Sequence, residues 1–366
     1  MVENVKAEKI IVDNELKPVQ AYNLAKITGI EVIDRYRLIL EIFNRRATSK
    51  EAKLQISFAE LQYQLPRARE SVRLARMDEQ PGFMGLGQYE IDIYYEHVKR
   101  QMAQIKRELQ KIREKRDLHR TRRLELGFSL ISLAGYTNAG KSTLFTSLTK
   151  ESTLVGPGLF TTLSTTTRRI KIDGRRLLIT DTVGFIDRLP LDLIEAFHST
   201  LEETIFSDLI LLIIDISEPI SDVKRKLRVC LDTIRDIGVI GIPIITVLNK
   251  IDLLTNETLN IKLKKLEGFA PNPVPVSAKK SVNLKELANA IIDFLEEHII
   301  ITFTLPQNSD SMSMLSELYN QADVTCVKYC NDEINVTLSA LPSFIGKMQG
   351  RIKELEGNQS SITHGN

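Results

Sequence analysis

The sequence predicts an α/β protein: a wound, mostly parallel sheet, preceded by an α/β segment with a long helical hairpin and followed by a small α+β tail. Three observations carry this. Apolar runs of strand length recur at Phe128–Leu133, Leu177–Ile179, Leu209–Ile216 and Ile242–Leu248, and helical patterns separate most of them. Residues 88–126 are nearly all charge with a thin apolar seam. Beyond residue 298 the pattern becomes strand, helix, two strands, helix.

Taken in order, Lys9–Val12 reads as a short strand, a helix follows Pro18, and Glu31–Ile33 reads as a second strand. The seam at Ile91, Tyr94, Tyr95, Val98, Met102, Ile105, Leu109 and Ile112 has spacings of three and four, which place it on one helical face. It reads as the second arm of a hairpin whose first arm is Ala52–Met77, with Pro81, Gly82, Gly85 and Gly87 breaking the chain between them. Arg168–Ile172, Asp173-Gly174 and Arg175–Ile179 read as a β-hairpin, so one sheet edge is expected to be antiparallel. The tail offers a strand at Ile299–Phe303, a helix at Ser311–Gln321, two strands around Asn331-Asp332 and a helix at Pro342–Leu355; Gly357–Asn366 is expected to be disordered. The expected boundaries are 1–80 for the N-terminal α/β segment and first arm, 81–126 for the tip and second arm, 127–298 for the wound sheet, and 299–366 for the tail.

Composition narrows the classes. The 366 residues allow two or three domains, and 43% apolar with 26% charged residues fits a globular chain. The N-terminal MVENVKAEKI has no apolar core, so no signal peptide is expected, and no run approaches the roughly 18 apolar residues a spanning helix needs. Cys230, Cys326 and Cys330 make neither a zinc pattern nor a disulfide framework, which suits a reducing cytoplasm. The net charge of +2 is no sign of a polyanion binder, but it hides an uneven distribution.

The chemistry starts at Gly135. Gly135-Tyr136-Thr137-Asn138-Ala139-Gly140-Lys141-Ser142 follows a strand run at once, and Thr143–Leu148 opens a helix. That strand–loop–helix context is what a phosphate-binding loop requires. Backbone N–H groups close around the phosphates, Lys141 supplies a point charge, and the Ser142 hydroxyl can ligate Mg²⁺. Asp181-Thr182-Val183-Gly184 follows the Leu177–Ile179 strand. Asp181 would reach Mg²⁺ through water, and Gly184 can bring its N–H to the γ-phosphate. Guanine shows two donors on one edge, and the Asp252 carboxylate of Asn249-Lys250-Ile251-Asp252 can accept both. Asn249 would steady that loop, the Lys250 stem would lie on the base, and a backbone N–H of Ser277-Ala278-Lys279 would read O6. These two motifs select GTP over ATP. Between the phosphate loop and Asp181, the stretch Phe160-Thr161-Thr162-Leu163-Ser164 should hold a threonine that senses Mg²⁺ and the γ-phosphate; Thr162 is the first choice and Thr161 the second.

Phe185 follows Gly184 where many GTPases use a glutamine to orient water. Slow intrinsic hydrolysis is therefore expected. Asn138 could help hold a monovalent cation, K⁺, near the phosphates, doing electrostatically what an arginine finger does. The catalytic set expected from the sequence is Lys141, Thr162, Gly184, Asn138 and Phe185, against the plainer alternative of ordinary loop hydrogen bonding for Asn138.

Residues 97–123 contain Lys99, Arg100, Lys106, Arg107, Lys111, Arg113, Lys115, Arg116, Arg120, Arg122 and Arg123, opposed by Glu108, Glu114 and Asp117. A solvated coiled coil would look similar. The first arm adds Arg67, Arg69, Arg73 and Arg76, and a hairpin basic on both arms suits RNA phosphates. Its tip, with Phe83, Met84 and Tyr89, could enter a narrow RNA cavity.

At this point the chain resembles the HflX GTPases. The resemblance covers ELKPVQAYNL (15–24), the long stretch from Val32 to Arg67, GLGQYEID (85–92), GYTNAGKSTLF (135–145) and DTVGFIDRLPLDLIEAFHSTLEE (181–203). It implies an N-terminal α/β domain with a helical hairpin, a Ras-like P-loop G domain and a small C-terminal domain. It also implies binding to the large ribosomal subunit and its rRNA, with the hairpin tip toward the peptidyl-transferase region, in ribosome splitting or rescue. Two departures stand out: GLGQYEID stands where bacterial members are closer to GPGETQLE, and Ser164-Thr165 replaces an Asp-Pro pair.

The leading reading is a cytoplasmic, monomeric GTPase switch on the large ribosomal subunit, with GTP/GDP and Mg²⁺ as ligands and ribosome assembly as a third possible task. A second is a nucleotide-regulated RNA-binding or chaperone-like module in which hydrolysis is incidental. A third is a GTPase with a protein partner at a membrane, which nothing in the sequence favours. No feature points to DNA.

Overall fold

The computed structural model describes residues 6–77, 86–125, 128–149, 166–182, 184–186, 204–295, 299–330, 332–340, 342–355 and 358–364. The hairpin tip (78–85), the stretch holding Thr161 and Thr162, and Val183 lie outside them. The chain divides into two compact units, one built on residues 1–115 and the other on 116–159, 165–185 and 202–366.

The first unit begins with two parallel strands, β1 (Lys9–Val12) and β2 (Glu31–Asp34), joined through helix α1 (Pro18–Thr28). Pro18 opens α1, where a missing N–H is harmless, and Gly29 closes it with φ 65. Helix α2 (Arg35–Arg46) buries Tyr36, Ile39, Leu40 and Phe43, one stripe at helical spacing. The two long arms are α3 (Lys50–Met77) and α4 (Leu86–Glu125). On α4 the predicted seam holds in part: Val98 is buried and Met102, Ile105, Leu109 and Ile112 are half-buried, but Tyr94 is exposed. Lys99, Arg100, Lys106, Arg107, Lys111, Arg113 and Lys115 are exposed, as a basic outer face requires. At the base of the arms a cleft of about 450 Å³ is lined by Leu54, Leu61, Gln64, Gln101, Ile105 and Glu108, and Lys50 bridges to Glu108 at 2.8 Å.

Asp34 organises this unit. Its carboxylate is 1% exposed and caps α2 by accepting from the Arg37 N–H at 2.9 Å. It also accepts from the Leu16 N–H (3.2 Å), the Tyr63 hydroxyl (2.8 Å) and Arg67 Nη2 (3.0 Å). Tyr63 stacks on Tyr36 at 4.9 Å, and the Arg67 guanidinium lies over the Tyr63 ring at 3.3 Å. Burial, then the bond to Asp34, pushes the Tyr63 phenol far above its ordinary value. One buried acid thus ties α3 to β2 and to the start of α2.

The second unit holds a six-stranded sheet of β3 (Ser129–Gly135), β4 (Thr166–Ile172), β5 (Arg175–Asp181), β6 (Leu209–Asp215), β7 (Ile244–Asn249) and β8 (Pro273–Pro275), in the order β4-β5-β3-β6-β7-β8. All pairs are parallel except β4 with β5. Asp173 (φ 45) and Gly174 (φ 83) turn that hairpin with two positive φ angles. Strands β3 and β6 are buried along their whole length, which explains their unbroken apolar runs. On one face, α5 (Lys141–Thr149) and α8 (Leu284–Phe294) pack Leu144, Phe145, Leu287 and Ile291 onto Ile131, Leu133, Leu211 and Ile213. Full burial of each such side chain contributes about 1.5–3 kcal/mol. Helix α6 (Ile220–Asp236) buries Val223, Leu227, Cys230 and Ile234, and α7 (Asn256–Leu266) follows the third loop of the site.

In the same unit the tail forms a second sheet, β10 (Asp323–Cys330), β11 (Glu333–Ala340), β9 (Ile299–Pro306) and β12 (Asn358–His364), antiparallel throughout. With α9 (Ser309–Gln321) and α10 (Pro342–Glu354) it makes a split β-α-β-β-α-β module. Ile301, Phe303, Leu305, Val336 and Leu338 face the helices. The expected disorder at Gly357–Asn366 is therefore corrected: Asn358–His364 pairs with β9 and completes the sheet. NQSSITH has no apolar alternation of its own, so only the free edge of β9 makes it a strand. Arg176 of β5 donates to the Tyr319 carbonyl of α9 at 2.8 Å, joining the two sheets of this unit.

Removing the buried Asp34 carboxylate takes the acceptor from the half-buried Tyr63 hydroxyl and from the Leu16 and Arg37 N–H groups, and takes the ion-pair partner from Arg67, so Asp34→Ala should destabilise the first unit by about 3 kcal/mol. Urea unfolding followed by far-ultraviolet circular dichroism should show an earlier transition, and Glu31→Ala, at an exposed ion pair with Lys9, should leave it in place.

Candidate functional site

The loops at the carboxyl ends of β3, β5, β7 and β8 meet at one end of the six-stranded sheet, where open α/β sheets bind ligands. Gly135 ends β3 with φ 146, and a Cβ there would collide with the Ile213 carbonyl. The loop then turns through Asn138 (φ 63, exposed) and Gly140 (φ 99) into α5. A Cβ on Gly140 would strike the Asn249 amide. The glycines are thus required by crowding from β6 and β7 as well as by the turn itself.

Lys141 is buried and donates to the carbonyls of Gly135 and Tyr136, both at 3.1 Å, which straps its ammonium across the loop. Burial pushes that ammonium below its ordinary value, and the charge of Asp181 pulls the other way. The Ser142 hydroxyl donates to Asp181 Oδ2 at 2.9 Å. The two groups expected to serve one divalent ion, on α5 and at the end of β5, therefore lie together.

Beyond Asp181, Thr182 is buried and its hydroxyl donates to the Leu133 carbonyl. Gly184 comes so close to the loop that a Cβ would lie 2.8 Å from Thr137 Cγ2 and 2.9 Å from Lys141 Nζ. Phe185 is 2% exposed, and its main chain brackets the phosphate loop: its N–H donates to Gly135 O at 3.0 Å and its carbonyl accepts from Thr137 N at 2.9 Å. The residue at the usual glutamine position is buried, and its main chain is bonded to the loop on both sides.

The loops after β7 and β8, expected to read the base, converge on Asn249. Its Nδ2 donates to Ala139 O at 2.8 Å and its Oδ1 accepts from Ala278 N at 3.0 Å. Lys250 adopts φ 70 and pairs with Asp215 at 2.6 Å. Asp252, in the short 3₁₀ turn Ile251–Leu253, accepts from the Ser277 hydroxyl at 2.6 Å, and that hydroxyl in turn accepts from Lys280 N at 3.1 Å. Lys279 is exposed at the rim. Gly135–Thr143, Asp181, Thr182, Gly184, Asn249–Asp252 and Ser277–Lys279 are thus brought to one end of the sheet, while Phe160, Thr161, Thr162, Leu163, Ser164 and Val183 fall outside the described residues. Sequence reasoning missed Asp215. Its one signal was an acid interrupting the apolar run Leu209–Ile216.

The chain is similar over most of its length to known proteins. The chain matches three family models: GTP-binding GTPase N-terminal over residues 1–44, GTP-binding GTPase Middle Region over 46–123, and 50S ribosome-binding GTPase over 130–250. It is similar to GTPase HflX of Methanocaldococcus jannaschii, 48% identical over 88% of this chain and 79% of that protein. GTPase HflX of Thermofilum pendens is 40% identical over 96% of this chain and 83% of that protein. Among solved structures, the complex of SsGBP with GDP is 30% identical with a TM-score of 0.50, over 79% of this chain and 82% of that one.

Because Asn249 makes two buried hydrogen bonds to two different loops, Asn249→Ala should weaken GDP binding about 10- to 100-fold. Isothermal titration with GDP checks this; an unchanged affinity would show that the bridge has no part in binding.

Proposed function

The chain belongs to the HflX family of GTPases and hydrolyses GTP to GDP and phosphate, and from that premise we propose that it is a nucleotide-gated switch on the large ribosomal subunit. The observation that carries the ribosomal part is the row of exposed cations on α4, set on a helix whose apolar seam turns the other way. Such a face binds phosphates with little sequence reading. The family model over residues 130–250, described as a 50S ribosome-binding GTPase, supports the same partner.

In this proposal the basic arms, carried by the 1–80 and 81–126 divisions, make the contact and the 127–298 division supplies the timing, with 299–366 as a small C-terminal domain. Asp252 accepts the two donors of guanine, a backbone N–H of Ser277–Lys279 reads O6, and the Lys250 stem covers the base. Lys141 sits on the β- and γ-phosphate oxygens, and Gly184 brings its N–H to the γ-phosphate. The hydroxyl–carboxylate pair of Ser142 and Asp181 is a hard-oxygen donor set that fits Mg²⁺. Ser142 and Thr162 would hold the ion directly and Asp181 through a water. When bound, Mg²⁺ neutralises charge on the phosphates. Phe185 is apolar and buried, so it leaves no side chain there to orient water. Asn138, exposed in the loop, would help ligate K⁺ beside the phosphates.

Two measurements test this. Co-sedimentation with ribosomal subunits in a non-hydrolysable GTP analogue, in GDP and without nucleotide should show the large subunit preferred and the analogue strongest. Binding indifferent to subunit and nucleotide would instead favour an RNA-binding module. Hydrolysis should be faster in KCl than in NaCl at equal ionic strength, and Asn138→Ala should abolish the difference; equal rates in the unaltered chain remove K⁺ from the scheme.

A further inference from the structure

Between β6 and α6 the chain makes a short turn, Ile216–Pro219, that belongs to none of the nucleotide motifs. Three lysines from three elements converge on it. Lys262, on α7, points its ammonium at three consecutive carbonyls: Ile216 (2.7 Å), Ser217 (3.2 Å) and Glu218 (2.7 Å). An ammonium has three donors, and here each has an acceptor. Lys250 pairs with Asp215 at the start of the turn. Lys226, on α6, is chelated by both oxygens of Glu218 at 2.6 Å.

The two ends of this turn address opposite ends of the nucleotide site. Asp215 also accepts from the Ser217 N–H at 3.0 Å, and the Ile216 N–H donates to the Asn249 carbonyl at 3.0 Å, so this end is fixed to the guanine loop. At the other end, Lys226 lies over the ring of Tyr136 at 4.7 Å, and the Tyr136 carbonyl is one of the two that strap Lys141. The turn is therefore a strut between base loop and phosphate loop, and its backbone is gathered by one side chain from outside both. Burial pushes the Lys262 ammonium below its ordinary value, opposed by the charges of Asp215 and Glu218. Its three hydrogen bonds to the turn fix its ammonium there.

We propose that Lys262 is a positioning residue for guanine-nucleotide binding: by holding the Ile216, Ser217 and Glu218 carbonyls it sets Asp215 against Lys250 and Glu218 against Lys226, and so couples the guanine loop to the phosphate loop. This rests on the GTP-switch reading of the same site. Lys262 touches no atom of the expected nucleotide and acts through these two pairs.

The test uses the full chain and fluorescent GDP, GTP and ADP analogues in stopped flow. Lys262→Met keeps the stem and removes the donors. It should speed release of both guanine nucleotides about tenfold, as loss of one charge-assisted set of bonds implies, and it should narrow the preference for GDP over ADP. Lys262→Arg, with donors retained, should restore most of both. A lysine that only stabilises the fold would lower the unfolding temperature and leave the GDP-to-ADP ratio as it is. A folded Lys262→Met chain with unaltered release and unaltered ratio overturns the proposal. Should that variant fail to fold, the cycle of Asp215→Asn, Glu218→Gln and the double variant decides: non-additive effects on GDP release support a coupled strut, and additive effects overturn it. If the unaltered chain bound no guanine nucleotide, the switch reading itself would fall; normal binding with an insensitive Lys262 would remove this coupling alone.

Discussion

The Asn249 side chain is held at both ends inside the protein, its amide nitrogen on the carbonyl of Ala139 and its amide oxygen on the N–H of Ala278. It is 2% exposed, so neither group has water as an alternative partner. Three loops that are far apart in sequence are registered by this one residue. Its position forbids a Cβ at Gly140, and the glycine lets the phosphate loop pass. The phosphate loop, the Asn249–Asp252 turn and the Ser277–Lys279 turn are tied to one another through these two bonds.

Around that bridge the sheet supplies rigidity. Strands β3 and β6 are buried on both faces, and Gly135 lies against the Ile213 carbonyl with no room for a side chain. Phe185 then pairs its main chain with the phosphate loop, extending the contact beyond β5. An apolar ring at this position makes structural sense: it is buried, and a glutamine amide there would need partners of its own. The Phe185 main chain is also part of what holds the loop in shape.

The two units illustrate different sources of order. In the second, apolar strands and helix faces do most of the work. In the first, the sheet has only two strands, and the Asp34 cluster with its stacked Tyr36–Tyr63 pair supplies cross-links that a small apolar core cannot. The same unit carries the charged arms, whose inner seam is thin and leaves a cleft near the base.

Much of this was legible in the sequence. The phosphate loop, Asp181–Gly184, Asn249–Asp252 and Ser277–Lys279 are local patterns whose spacing follows from chemistry, and the Asp173-Gly174 hairpin is dictated by turn geometry within four residues. The long apolar runs announced the buried strands because burial on both faces removes alternation. What the tertiary structure alone decided are the features whose partners lie far along the chain. Asn358–His364 is a strand because β9 offers an edge, a pairing across more than fifty residues. Lys262 faces the turn after β6 because α7 is packed there, 44 to 46 residues from the carbonyls it holds. A hydrogen bond to a backbone carbonyl needs no particular residue at the other end, so it leaves no pattern for a sequence to show.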